Sequence, residues 1–206
     1  MNIETPVGST GGETQRVYWD EAGAAPIAVE VTRGGMVESV HRAVVAISDA
    51  KGGIVHGWGD VDRPIYARSA IKPLQTLAVI ETGAADAFNL GEDEITLCCA
   101  SHRAEPIHVD RVIPWIGRLG LDVDAFECGP QMPGNEAAAH ALINAGKAPT
   151  RAHNNCSGKH SGMLTTVVHM KESVAGYIQP DHPVQTRLID LMSELGEVDL
   201  SRTARG

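Results

Sequence analysis

Aromatic side chains are scarce, at 4% of 206 residues, which argues against a protein that grips single-stranded nucleic acid by stacking bases on rings. Positive charge is short as well: 17 basic residues face 26 acidic ones, for a formal charge of −9. Such a balance repels phosphate backbones and anionic bilayers, so nucleic acid and membrane are excluded as partners. No apolar run approaches the roughly 20 residues that cross a bilayer, and residues 1–15 are polar and read as a flexible tail, not as a basic and then apolar leader. Cysteine is limited to four residues, two of them the adjacent Cys98 and Cys99. That is no disulfide framework for a chain of this length, and it fits reduced thiols in a cytoplasm.

What is present is ordinary globular composition, 43% hydrophobic and 21% charged, enough for one substantial core. Short β-branched runs at 26–33, 40–48 and 54–58 are separated by Gly34-Gly35 and by the turn Asp49-Ala50-Lys51-Gly52-Gly53, and they predict a small antiparallel meander. Helical patterns follow at 69–81, 105–119 and 136–145, then one opening in the patch 151–162 and running through Met170, and one following Asp181 and running to Gly196, with an apolar run at 95–100 between the first two. The alanine-rich segment 136–145 reads as a buried packing helix. Asp181 is placed to cap the last helix, ahead of Pro183.

Chemistry enters at Arg68-Ser69-Ala70-Ile71-Lys72-Pro73. Residues three apart share a helix face, so the Ser69 hydroxyl and the Lys72 amine can meet. A serine hydroxyl needs a base to become nucleophilic, and a lysine held as the free amine is one. The alternative is a helix-capping Ser69 with a solvated Lys72. Ser-x-x-Lys is also the spacing of class A β-lactamases, whose Ser-Asp-Asn and Lys-Thr-Gly companions are absent. Ser101-His102-Arg103 closes the apolar run and offers a second hydroxyl and a proton carrier, or simply an N-cap and a partly exposed loop histidine. The patch 151–162 carries His153, Cys156, Lys159 and His160. Cys156, Lys159 and His160 lie on one helical face, as a soft and nitrogen donor set or as a helix start with a buried cysteine.

Five blocks, RGGMVESVHR (33–42), ARSAIKPLQ (67–75), CCASHRAEP (98–106), NNCSGKHSGML (154–164) and YIQPDHPVQ (177–185), together resemble the asparaginase II family, L-asparaginases that use serine–lysine pairs. The resemblance covers residues 26–206. It implies an α/β fold with an antiparallel sheet flanked by helices, like serine β-lactamases and glutaminases, incomplete at its C-terminus. By it, residues 16–206 are the N-terminal portion of a single domain, and the full-length form is a homodimer. The implied activity is hydrolysis of L-asparagine to L-aspartate and ammonia, with Ser69, Lys72 and Ser101 catalytic. Arg68 and His160 line the site, and Arg68 or Arg103 binds the substrate carboxylate. Cys156 and Lys159 match two ligands of a zinc site, whose remaining cysteine, like the lysine partner of Ser101, falls beyond Gly206. The expectation is therefore a truncated chain with an incomplete zinc site. A glutaminase or another Ser-x-x-Lys hydrolase is the alternative enzyme, and an inactive ligand- or zinc-binding fragment the alternative of another class.

Overall fold

The computed structural model describes residues 24–203, together with the backbone pairing of two short strands, β1 (Thr5–Pro6) and β2 (Arg16–Val17). The tail expected at 1–15 otherwise lies outside the described residues. The chain divides into two compact units, one reaching Tyr66 and one starting at Ala67.

In the first unit, β3 (Ile27–Arg33) and β4 (Met36–Arg42) form an antiparallel hairpin turned by Gly34 and Gly35. Both glycines have positive φ, 57° and 83°, where a side chain would strain the turn. β5 (Val45–Ser48) pairs with β6 (Ile54–Trp58). Their connection is tied by Asp49, whose Oδ1 accepts from Lys51 N at 2.8 Å and Gly53 N at 2.9 Å. The run 40–48, read as one strand, is therefore two. It breaks at Ala43-Val44, where Ala43 N turns to donate to Pro26 O at 3.2 Å. That break also removes the expected single sheet: β3–β4 and β5–β6 are separate two-stranded sheets. Every residue of the four strands is exposed, so neither hairpin builds a core of its own.

Among the described residues the second unit has seven α-helices: α1 (Lys72–Glu81), α2 (Ala84–Ala87), α3 (Glu92–Cys99), α4 (Pro106–Arg118), α5 (Glu136–Asn144), α6 (Ser157–His169) and α7 (Pro183–Leu195). The central one is α6, with ten of its thirteen residues buried and with α1, α3, α4 and α7 packed around it. Its small residues make this possible. A Cβ on Gly158 would overlap the Leu97 carbonyl, and one on Gly162 would lie 2.6 Å from Cys98 Sγ, so α3 rests directly on the α6 backbone. Buried hydroxyls on α6 bond back along the helix, Ser161 Oγ to Ser157 O at 2.9 Å and Thr165 Oγ1 to Ser161 O at 2.8 Å. Thr165 Oγ1 also accepts from Trp115 Nε1 at 3.0 Å.

On α4 the residues Val109, Val112, Trp115 and Ile116 recur at helical spacing and are all buried, joining Leu164, Val167, Leu188 and Phe126 in the core. The apolar run 95–100 is largely the second half of α3. Glu94 anchors that helix twice over: Oε2 accepts Gly91 N at 2.8 Å, and Oε1 accepts Arg118 Nη2 at 2.6 Å. Two expectations change here. No residue of α5 is buried, so it is not the buried packing helix its composition suggested. His182, not Asp181, caps α7, with Nδ1 accepting Val184 N at 3.2 Å. Among the described residues no helix is long and apolar enough to cross a membrane.

Candidate active site

Ser69 sits in a 3-10 turn, Arg68–Ile71, that runs straight into α1. Lys72 is the first residue of α1 and Pro73 the second, where a missing N–H costs nothing. The turn is bought with backbone strain: Arg68 has φ 52° without being glycine, a conformation costing about 1–2 kcal/mol. Arg68 and Ser69 are exposed, whereas Lys72 is 2% exposed. The reading of Lys72 as a solvated side chain is thereby excluded.

The two residues do not bond to each other directly. Lys72 Nζ donates to Ser101 Oγ at 2.8 Å and to Ala100 O at 2.8 Å. Ser101 Oγ donates in turn to Ser69 Oγ at 2.8 Å. The result is a continuous chain, Lys72 to Ser101 to Ser69, in which each step is a hydrogen bond short enough for proton transfer. Lys72 thus enters the core with two neutral oxygens as its acceptors and, among the described residues, no ion pair with a carboxylate.

Ser101 lies just past α3, in a segment without regular structure that is pinned on both sides. His102 N donates to Asn155 O at 3.1 Å. Arg103 and Gly134 bond reciprocally, Gly134 N to Arg103 O at 3.0 Å and Arg103 Nη2 to Gly134 O at 2.6 Å. One N–H of the exposed Arg103 guanidinium is thus held by a backbone carbonyl. Ala104 completes the segment with φ 55°, a second left-handed non-glycine residue beside a site hydroxyl.

His102 is 5% exposed, not the partly exposed loop histidine that its neighbours suggested. Its Nδ1 accepts from Ala104 N at 3.1 Å and its Nε2 lies 2.8 Å from Ser157 Oγ. Ser157 Oγ spends its own proton on Ala152 O at 2.8 Å, so His102 must be the neutral tautomer with Nε2–H donating. Burial holds its pKa down at about 4, with His108, Lys72 and His153 adding to the shift.

His160 is 8% exposed and takes a hydrogen bond at Nδ1 from Tyr177, with Oη at 2.8 Å. The fully buried Tyr177 hydroxyl accepts from Glu127 N at 3.0 Å, leaving its proton for His160. Burial, followed by Lys159 and Lys72, lowers His160 to about 3. Tyr177 carried no chemical signal in the sequence; only its partner across 17 residues gives it a role.

Cys156 stands just ahead of α6, without a capping bond from its side chain, and Lys159 lies one turn on, both half-buried. Burial lowers the proton affinity of Lys159, and Lys72 acts in the same direction, which suits an amine offered as a lone-pair donor. Cys128 lies in the same electrostatic neighbourhood, its thiol pushed up to about 11 by burial. Zinc takes four ligands in tetrahedral array. Among the described residues no group of three His, Cys, Asp or Glu stands together to supply them, so Cys156 and Lys159 fit one side of such a shell and do not close it. All four cysteines are free thiols.

A search of curated proteins found no match. The family model described as L-asparaginase II matches residues 29–206, a span that takes in the turn of Ser69, the segment of Ser101 and the whole of α6. The chain belongs to the L-asparaginase II family.

Proposed function

We propose that this chain is an L-asparagine amidohydrolase acting through Ser69, with Ser101 carrying protons between Ser69 and Lys72. The observation that carries the reading is the unbroken hydrogen-bond chain from the buried Lys72 Nζ through Ser101 Oγ to the exposed Ser69 Oγ. It leads from an amine that bulk water does not reach to a hydroxyl that substrate can. Family membership names the substrate class.

With Lys72 as the free amine, the same contacts run in reverse. Ser69 Oγ gives its proton to Ser101 Oγ, which passes its own to Lys72 Nζ, as the Ser69 oxygen bonds to the side-chain amide carbon of asparagine. Backbone N–H groups of the turn, that of Ser69 first, would hold the oxyanion. As the C–N bond breaks, the proton returns through Ser101 to the leaving ammonia. Water then adds to the acyl carbon, its proton following the same route, and cleavage of the C–O bond frees L-aspartate and Ser69. Arg68, exposed next to Ser69, or Arg103, which keeps N–H groups beyond the one given to Gly134 O, would bind the substrate carboxylate. His160, its Nδ1 held by Tyr177, would line the site with its Nε2 side.

Zinc, where bound, would be held by Cys156 and Lys159 and would supply a fixed positive charge at the start of α6, with no step passing through it. A cytoplasmic homodimer completes the reading. The test is ammonia release from L-asparagine, with L-glutamine in parallel. Ser69→Ala, Lys72→Ala and Ser101→Ala should each lower it by a factor of about 100 or more; wild-type turnover in any of them removes that residue from the relay. Faster turnover of glutamine would favour the glutaminase alternative. Binding of asparagine without ammonia release would favour the inactive fragment.

A further inference from the structure

The relay depends on where Ser101 is held, and nothing in regular secondary structure holds it. Ser101 follows the last turn of α3, precedes α4 by several residues, and is itself exposed. Two hydrogen bonds from the next residue fix it to another element. His102 N reaches Asn155 O at 3.1 Å, and His102 Nε2 reaches Ser157 Oγ at 2.8 Å, on the first residue of α6.

We propose that His102 is a positioning residue: as a buried neutral imidazole spanning Ala104 N–H and Ser157 Oγ, it locks the Ser101 hydroxyl between Lys72 and Ser69. This rests on the reading of Ser69 as an activated nucleophile. Four successive contacts make up the lock, Ala104 N to His102 Nδ1, His102 Nε2 to Ser157 Oγ, Ser157 Oγ to Ala152 O, and His102 N to Asn155 O. The imidazole has no spare nitrogen with which to touch substrate. Its ring stacks on His108, centroids 5.1 Å apart with planes 14° from parallel, which fixes the ring plane as well as its two ends. A side chain with so little freedom sets the direction of the backbone on either side of it, and Ser101 is its immediate neighbour. Lys72 Nζ is bonded to Ala100 O as well as to Ser101 Oγ, so a drift of this segment disturbs both contacts of the base together. Misplacement on the scale of an ångström is costly in a proton relay.

The test reads Ser69 directly, by its labelling rate with a fluorophosphonate, a reagent that reports an activated serine whatever the natural substrate. His102→Asn keeps a short acceptor for Ala104 N–H and loses the reach to Ser157; Ser157→Ala removes the partner instead. Each should slow labelling about tenfold, the worth of one well-formed hydrogen bond, and the double variant should be no slower than either single one. With asparagine, kcat should fall and KM stay within about twofold. Urea unfolding near neutral pH confirms that each variant is folded, and any variant that is not is replaced by His102→Gln, which should restore labelling by reaching Ser157. Wild-type labelling in His102→Asn, or single effects that multiply in the double variant, would overturn the proposal. Labelling of the wild type without ammonia release would sink the asparaginase reading while leaving His102 to be judged on labelling. A wild type that neither labels nor turns over would overturn both.

Discussion

Protonating His102 should destabilise this protein over a defined pH range. The ring is neutral in the fold, its pKa held at about 4 by burial and by His108, Lys72 and His153, against 6.5 for a free histidine. Between those two values the unfolded chain binds a proton that the folded chain refuses, so stability rises with pH. The contribution is complete above 6.5 and drains away as pH falls toward 4. At pH 5 the unfolded histidine is almost fully protonated and the folded one hardly at all, which costs the fold about 2 kcal/mol relative to pH 8. Protonation would put a second donor at Nδ1, facing the Ala104 N–H that now donates to it, so no alternative bond offsets the loss. The assay is urea unfolding at pH 8 and pH 5 for the wild type and His102→Asn. Comparing the pH dependence of the two cancels His160 and every carboxylate, which are common to both. The wild type should lose about 2 kcal/mol more than the variant on going to pH 5. Equal losses would mean that His102 titrates normally in the fold, and would refute its burial in the bonds described above.

Other perturbations address the packing that places the site. Gly158→Ala forces a methyl into the Leu97 carbonyl, so α3 must shift; urea unfolding should show a loss of about 3 kcal/mol or more, and fluorophosphonate labelling of Ser69 should fall with it. Lys171 ends α6 with φ 58° and with Glu172 N bonded to Val167 O at 2.9 Å, a helix end that glycine fits without strain. Lys171→Gly should therefore raise thermal stability by about 1 kcal/mol, and a loss instead would show that the left-handed backbone is not what limits this helix end. Glu94→Ala removes both the cap on Gly91 N and the acceptor for Arg118; a destabilisation of about 2–3 kcal/mol is expected by chemical denaturation.

How much of this was legible beforehand varies with the range of the interaction involved. Strongly periodic stretches such as Val109, Val112, Trp115 and Ile116 announce a helix with a buried face, because period and burial are both local. The run 40–48 does not announce its break, which is set by Ala43 N turning to Pro26 O, 17 residues back. Ser69 and Lys72 looked like partners because they are three apart. The lysine instead bonds a serine 29 residues away, since the 3-10 turn and the left-handed Arg68 aim the hydroxyl differently from a regular helix. His102 read as a loop residue because its burial comes from α6, an element more than fifty residues on. Asp181 lost the cap to His182 by one position, within the usual uncertainty of a helix boundary. The small residues of α6 gave no signal in the sequence, because only the contact of Gly158 with Leu97 and of Gly162 with Cys98 shows why they are small.

The central claim is that a buried amine activates Ser69 through an intervening hydroxyl. Rapid acid quench of the protein turning over L-asparagine, followed by peptide mapping by mass spectrometry, locates the covalent intermediate. The account predicts an aspartyl ester on Ser69 in the wild type, and none in Lys72→Ala or Ser101→Ala. An ester on Ser101, or undiminished esterification of Ser69 without Lys72, would contradict it.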